Sequence, residues 1–339
     1  MKVVTFGEIM LKLSPINYQR FLQAREMMVE FAGAEANVAV SLANYGMRVQ
    51  FVSKLPDNDF GDAAINSLRK YGVDTTMIVR GGNRLGIYFS EKGASQRPSR
   101  VIYDRKESSI SCAASSDFNW NSIFDGVSWF HFTGITPALS DSLAVICLEA
   151  CKEAKKKGIT ISCDLNYRKQ LWSREKASKV MTELCKYVDV CIVNEEDAED
   201  VFGIKAEHSD VRKGIIDEHA YVAVAQKLQH QFDFKFVAIT LRESVSASDN
   251  NWSAILFDGE TYYNSSKYSI HLVDRIGGGD SFCAGLIYGL QSYNSPQKAL
   301  EFAVASSCLK QTIEGDLNLV SVSEVESLMN GNASGRISR

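Results

Sequence analysis

Val273-Asp274-Arg275-Ile276-Gly277-Gly278-Gly279-Asp280-Ser281-Phe282 runs three consecutive glycines into an aspartate and then opens a helical pattern of Phe282, Leu286, Ile287 and Leu290. Glycines let successive backbone N–H groups converge on one concavity, and a helix N-terminus adds partial positive charge there. That combination suits a phosphate, above all the charge on a phosphoryl group in flight. Asp280 falls in the first turn, within reach of the hydroxyl of a bound acceptor. A general base in that position typically contributes about 10²–10⁴-fold. Read blandly, the same residues are a turn followed by an N-cap, and taken alone they do not choose between the two.

Around this run, short β-branched runs alternate with amphipathic stretches. Strands are expected at residues 2–6, 49–53, 127–132, 159–163, 189–193 and 236–240. Helices are expected at 35–45, 60–71, 141–156, 176–187 and 221–232. Gly46, Gly72 and Gly158 stand where helix C-caps belong. The alternation implies βαβ units, a mostly parallel sheet and helices on both faces, an α/β fold. Residues 8–33 and 84–105 break the pattern with strand-like alternation and no helix between. They are expected to form a small β-sheet projecting from the body as a lid over an active site; otherwise they are surface hairpins without a role. Trp129, Phe130 and Phe132 read as core, and Gly285 and Gly289 as a close helix contact.

The chain has 339 residues, a formal charge of -4, 45% hydrophobic residues and 23% charged residues, values of an ordinary globular protein with a large core. The mildly acidic balance offers no electrostatic reason for nucleic acid or a membrane surface as a partner. No apolar run reaches the roughly 18 residues a membrane span needs. The eight cysteines form no C-x-x-C pair and the five histidines are scattered, so free thiols in a reducing cytoplasm are expected and a structural metal is not. There is no G-x-x-x-x-G-K-[ST], so this is not a P-loop protein; the missing strand–G-x-G-x-x-G–helix fingerprint weakens a nicotinamide-dehydrogenase reading, and there is no G-x-S-x-G nucleophile elbow.

A second stretch, Phe31-Ala32-Gly33-Ala34-Glu35-Ala36-Asn37-Val38-Ala39, leads small residues into a helix. Gly33 permits close approach of a ligand to the backbone, and Asn37 can donate to and accept from a polyol. In order and separation the two stretches resemble the signatures of the PfkB, or ribokinase-like, carbohydrate kinases, and the similarity covers residues 1 to about 325. Within that family the chain is most similar to the 2-keto-3-deoxygluconate kinase branch, through Gly7-Glu8-Ile9-Met10-Leu11-Lys12-Leu13-Ser14-Pro15, residues 33–39, residues 274–280 and Gly315-Asp316. The resemblance implies one three-layer α/β/α kinase domain over residues 1–330 with a β lid, followed by a mobile tail at 331–339. It implies transfer of the γ-phosphoryl of ATP to the terminal hydroxyl of 2-dehydro-3-deoxy-D-gluconate, with ATP and Mg²⁺ bound. Asp280 would be the base, and the amides around Gly277, Gly278 and Gly279 would form the anion cradle.

A sugar acid carries a carboxylate, for which arginine's planar fork is suited. Arg105 follows Tyr103 in the second lid segment, and Arg168 follows a strand end, where open α/β sheets bind ligands. By the resemblance, Tyr103, Arg105 and Arg168 hold the acid end, and Gly33, Asn37, Tyr88, Gly277, Asp280 and Asp316 line the sugar pocket. On the nucleotide side the resemblance points to Asn166, Asn194, Thr240, Arg242, Gly277 and Gly279. Asn194-Glu195-Glu196-Asp197 is similar to the family's N-x-x-E element, which organises magnesium through water; here Asp197 is one methylene shorter, and Glu195 or Glu196 could compensate. The bland reading makes Asn194 the cap of an acidic helix at 195–202. The segment 240–244 departs from the family's glycine-rich loop, so Arg242 either touches ATP phosphates or marks another loop path. Two other readings stay open: a neutral-sugar kinase such as a fructokinase or ribokinase, and a non-catalytic sugar-binding regulator on the same fold. An exposed apolar lid edge would favour pairing of two copies.

Overall fold

The computed structural model describes residues 1–194, 196–206 and 218–332. In chain order the strands are β1 (Lys2–Phe6), β2 (Met10–Pro15), β3 (Met27–Ala32), β4 (Arg48–Val52), β5 (Lys54–Leu55), β6 (Val79–Arg80), β7 (Ile87–Glu91), β8 (Arg100–Asp104), β9 (Trp129–Thr133), β10 (Thr160–Asp164), β11 (Val190–Val193), β12 (Phe236–Ser244), β13 (Asp249–Phe257), β14 (Tyr262–Asn264) and β15 (Tyr268–His271). The helices are α1 (Ala34–Asn44), α2 (Asp59–Arg69), α3 (Trp120–Ile123), α4 (Ile135–Ala138), α5 (Asp141–Lys156), α6 (Arg174–Cys185), α7 (Asp197–Phe202), α8 (Glu218–Phe232), α9 (Gly278–Ser292), α10 (Pro296–Lys310) and α11 (Val322–Met329).

β4, β1, β9, β10, β11 and β12 lie side by side in that order, all parallel. β13 adds to β12 antiparallel, and β14 and β15 add to β13. Successive strand residues point to opposite faces, so each strand feeds two layers. Phe130, Phe132, Ile161, Cys163, Val193 and Ile239 pack with Ile146, Met181 and Leu228 of α5, α6 and α8. Trp129, Val190, Ile192 and Ala238 face the other way, toward Ala39, Leu68, Leu286 and Phe302 of α1, α2, α9 and α10. This is the expected ribokinase-like sandwich. Gly46, Gly72 and Gly158 take φ of 80°, 79° and 69°, the left-handed conformation that ends a helix. A Cβ on Gly285 would stand 2.8 Å from Ala303 Cα, and one on Gly289 2.6 Å from Ala299 Cα, so the two glycines let α9 and α10 touch.

The two irregular segments do form one separate sheet, ordered β3-β2-β7-β8, with β2 parallel to β7 and the other pairs antiparallel. Most main-sheet boundaries move by one or two residues. The larger difference is at 241–244, expected as a loop: β12 continues through it, pairing Leu241 with Ser253 and Arg242 with Trp252. Its partner β13 opens on Asp249-Asn250-Asn251, which hides the strand because these residues carry little β propensity. Glu195 and residues 333–339 of the expected tail lie outside the described residues. Among the described residues, no helix is long and apolar enough to cross a membrane, and all eight cysteines are free thiols.

Candidate active site

The C-terminal ends of β10, β11 and β12 and one face of the small sheet enclose a cavity of roughly 450 Å³. Chain reversals at strand ends leave backbone groups and loop side chains free to face a ligand, which is why open α/β sheets bind there. Gly33, Asn37, Tyr88, Tyr103, Arg105, Arg168, Asp280 and Asp316 all line it, as do Asn166, Asn194, Thr240, Arg242, Gly277 and Gly279. Two expected site residues, Gly278 and Asp197, do not.

The glycine run divides its labour. Gly277 precedes α9 with φ of 80°, and a Cβ there would meet the Asp316 carbonyl oxygen at 2.0 Å, so both conformation and space require glycine. Gly278 turns inward instead: a Cβ would lie 3.2 Å from the Gln311 side chain, and its carbonyl accepts from Ser307 Oγ at 2.7 Å. Gly279 has open space where a Cβ would be. Asp280 is the third residue of α9, and Asn37 Nδ2 donates to its Oδ2 at 2.7 Å. Burial pushes the Asp280 carboxyl up to about 7. The Asn37 bond opposes the shift, Asp316 and Glu35 add to it, and Arg168 opposes it. Gly33 abuts the Glu8 carbonyl so closely that a Cβ would meet it at 1.9 Å, and this contact seats the start of α1.

At the other end stand the arginines. Asn166, two residues past the end of β10, holds φ of 41°, an uncommon left-handed backbone, in the loop that carries Arg168. Arg168 Nη1 donates to the Tyr167 carbonyl at 3.0 Å. Arg105 differs from expectation in being engaged already. Its Nε donates to Glu8 Oε2 at 2.8 Å and its Nη2 reaches the same oxygen, while Ser108 Oγ donates to Glu8 Oε1 at 2.6 Å. Tyr103 lies under the Arg105 guanidinium, 5.3 Å from ring centre to Cζ, and stacks on Tyr88. The expected strand alternation does not extend to Arg105, because β8 ends at Asp104; both side chains nevertheless line the cavity.

Asp316 accepts from Tyr88 OH and from Lys12 Nζ, the latter at 2.7 Å, and Lys12 also pairs with Glu30 at 2.9 Å. Burial presses the Lys12 pKa down, but Asp316, Asp274 and Glu30 outweigh it and hold it above its ordinary value. Two further carboxylates, Asp164 and Glu35, line the cavity beyond those the sequence points to. Asp164 accepts from Asn166 N–H and Nδ2, both at 3.1 Å, and burial raises its pKa well above normal, with Asp197 and Asp280 adding to it. Glu35 accepts from Thr133 N–H and from the hydroxyls of Thr133 and Thr136. The signal for Asp164 was its place at a strand's C-terminal end.

On the nucleotide side, Asp197 is buried behind the cavity wall. Its carboxylate accepts from Tyr167 N–H at 3.1 Å and Asn194 N–H at 3.2 Å, which braces two loops. Asn194 Oδ1 in turn accepts from the N–H groups of Glu196, the N-cap of α7, and of Asp197, its first residue, and Asn194 also lines the cavity. Arg242 and Arg275 reach the cavity beside Thr240 and Gly277. Among the described residues no three or more His, Cys, Asp or Glu side chains cluster to hold a metal directly. The oxygen donors at this end, Asn194 and Thr240, suit a hard, hydrated cation rather than a directly ligated one.

The pfkB family carbohydrate kinase model matches residues 1–320. A 2-dehydro-3-deoxygalactonokinase of Haloferax volcanii is 33% identical over 98% of this chain and 98% of its own. A crystal structure of 2-dehydro-3-deoxygluconokinase from Thermotoga maritima is 52% identical, covers 98% of each chain and superposes with a TM-score of 0.94. A putative ribokinase II from E. coli, solved in complex with ATP and Mg²⁺, is 21% identical over 97% of this chain and 99% of that one. Its TM-score of 0.80 shows a shared fold. The architecture agrees with these similarities, and the chain belongs to the pfkB family of carbohydrate kinases.

Proposed function

We propose that the protein transfers the γ-phosphoryl of ATP to the terminal hydroxyl of 2-dehydro-3-deoxy-D-gluconate, giving the 6-phosphate. The observation that carries this is the placement of Asp280, at the mouth of a glycine cradle, in one cavity with Arg105 and Arg168. The Asp280 carboxylate takes the hydroxyl proton as the acceptor oxygen bonds to phosphorus and the bond from phosphorus to the ADP oxygen breaks. Backbone N–H groups at Gly277 and Gly279, with the N-terminus of α9 behind them, offset the charge on the transferring group. Arg168 holds the sugar carboxylate, with the Arg105–Glu8 pair and Tyr103 as the adjoining wall. Asn166, Asn194, Thr240 and Arg242 bound the nucleotide end. Magnesium bound with ATP supplies charge neutralisation at the phosphate oxygens, and Asn194 and Asp197 shape the loop beside it.

The small sheet closes one side of the cavity, and its movement as a lid would exclude water as a competing acceptor. Met28, Val29 and Ile102 are exposed on it, which supports pairing of two copies through that sheet. The eight free thiols support a cytoplasmic setting.

With Mg-ATP, the purified protein is expected to prefer 2-dehydro-3-deoxygluconate or its galactonate epimer over fructose and ribose by about 10²-fold in kcat/KM, because a charged partner's bond is what the neutral sugars lack. Comparable rates on fructose would end the sugar-acid assignment. Sugar-acid binding without ATP consumption would instead make the protein a regulator.

Gly279→Ala should fold with an unchanged melting temperature, since nothing lies within 4 Å of the added methyl. The methyl enters the space of the transferring group, so kcat is expected to fall about tenfold from misplacement. Wild-type kcat in this variant would show that phosphate does not pass Gly279.

A further inference from the structure

The last turn of α10 stands directly behind the glycine run. Lys310, the final residue of that helix, is fully buried. Its Nζ donates to the Asp274 carbonyl at 3.0 Å and to the Ile276 carbonyl. Its neighbour Gln311 accepts through its carbonyl from the N–H groups of Val273 and Asp274. Taking an ammonium out of water is costly, and ending a helix does not require it, because an exposed lysine complements the C-terminal dipole as well. The buried position therefore needs a reason in what the ammonium touches.

That reason lies in the peptide units. All described peptide bonds are trans, so the C=O and N–H of one unit point in opposite directions. Drawing the Ile276 carbonyl toward Lys310 turns the Gly277 N–H the other way. Drawing the Asp274 carbonyl does the same for the Arg275 N–H. Gly277 and Arg275 line the cavity, whereas Lys310 does not. Burial pushes the Lys310 pKa below its ordinary value; Asp274, Asp316 and Asp280 oppose that shift, and Lys12 adds to it.

We propose that the Lys310 ammonium is a built-in cation that fixes the turn ahead of the glycine run, aims the Gly277 N–H at the transferring phosphoryl group and adds its charge to that end of the cavity. Lys310 is thus a positioning residue, acting through Gly277 without touching substrate. The proposal rests on the kinase reading above. It also implies that added monovalent cations do little for the wild type, because a tethered one already occupies the carbonyls.

Lys310→Ala tests it with Mg-ATP and the sugar acid. We expect kcat to fall about tenfold, as for loss of part of an oxyanion-type cradle, with the sugar-acid KM changed less than about twofold because the sugar's own contacts remain. Ammonium chloride should restore most of the loss by filling the vacated space. Tetramethylammonium chloride at equal ionic strength, too large to enter, should restore none. An unchanged kcat, or a loss that the two salts restore equally or not at all, would overturn the proposal. If Lys310→Ala does not fold, Lys310→Arg is compared with Lys310→Met: a higher kcat in the charged variant supports the role, and equal values overturn it. A wild type inactive on every sugar would overturn the kinase reading itself, which an active wild type with an indifferent Lys310→Ala would leave standing.

Discussion

Asp280→Asn is expected to lower kcat by about 10²–10⁴-fold, the usual worth of a general base, while sugar-acid affinity stays within about twofold. The two side chains have the same shape, and the asparagine carbonyl can still accept the 2.7 Å bond from Asn37 Nδ2. Packing and pocket therefore persist, and only the capacity to take a proton is lost. The wild-type pH profile carries the same information. With the Asp280 carboxyl pushed up to about 7 by burial, the working, deprotonated form is scarce below neutrality. kcat/KM should rise about tenfold per pH unit below that point and level off above it. Asp280→Asn should flatten this limb. Titration calorimetry for binding and steady-state rates for turnover separate the two effects. Residual kcat within tenfold of wild type would remove Asp280 as the base.

Much of this candidate site is legible in the sequence, because its cavity-lining residues sit in short contiguous runs. Gly33, Asn37, Gly277, Gly279 and Asp280 announce themselves through residue type and spacing. What stayed hidden was set by long-range contact. Lys12 reads as one polar position among Leu11 and Leu13, and nothing local says that it points inward to meet Asp316, 304 residues away. Glu8 lies in a contiguous N-terminal motif, but its hold on Arg105 comes from contact across 97 residues, between the chain just before β2 and just after β8. Asp197 looked like a phosphate-side acid. Its carboxylate is instead consumed by two backbone N–H groups, a need that appears only once the loops after β10 and β11 lie side by side. β13 is hidden because a strand paired on both sides, here with β12 and with β14 and β15, draws its stability from its partners more than from its own composition.

The Arg105–Glu8 pair changes which arginine matters most for substrate choice. Both carboxylate oxygens of Glu8 are occupied by Arg105 and Ser108, so much of the Arg105 fork is committed to the protein. Among the described residues Arg168 makes one hydrogen bond, through Nη1 to the Tyr167 carbonyl, and it leaves more of its fork to the cavity. Arg168→Ala is therefore expected to cost the sugar acid about 10²–10³-fold in kcat/KM, the scale of removing one partner of a desolvated charge pair. The loss should exceed that for a neutral hexose by at least about tenfold, since a hexose offers the guanidinium no charge to lose. Arg168 also opposes the upward shift of Asp280. Its removal should therefore move the midpoint of the acid limb to higher pH, an effect a merely structural arginine would not produce. Arg168→Lys keeps that electrostatic effect but not the two-pronged grip. It should hold the limb near its wild-type midpoint while recovering only part of the lost sugar-acid rate. Equal losses for acid and neutral sugars in Arg168→Ala would place the sugar carboxylate elsewhere in the cavity.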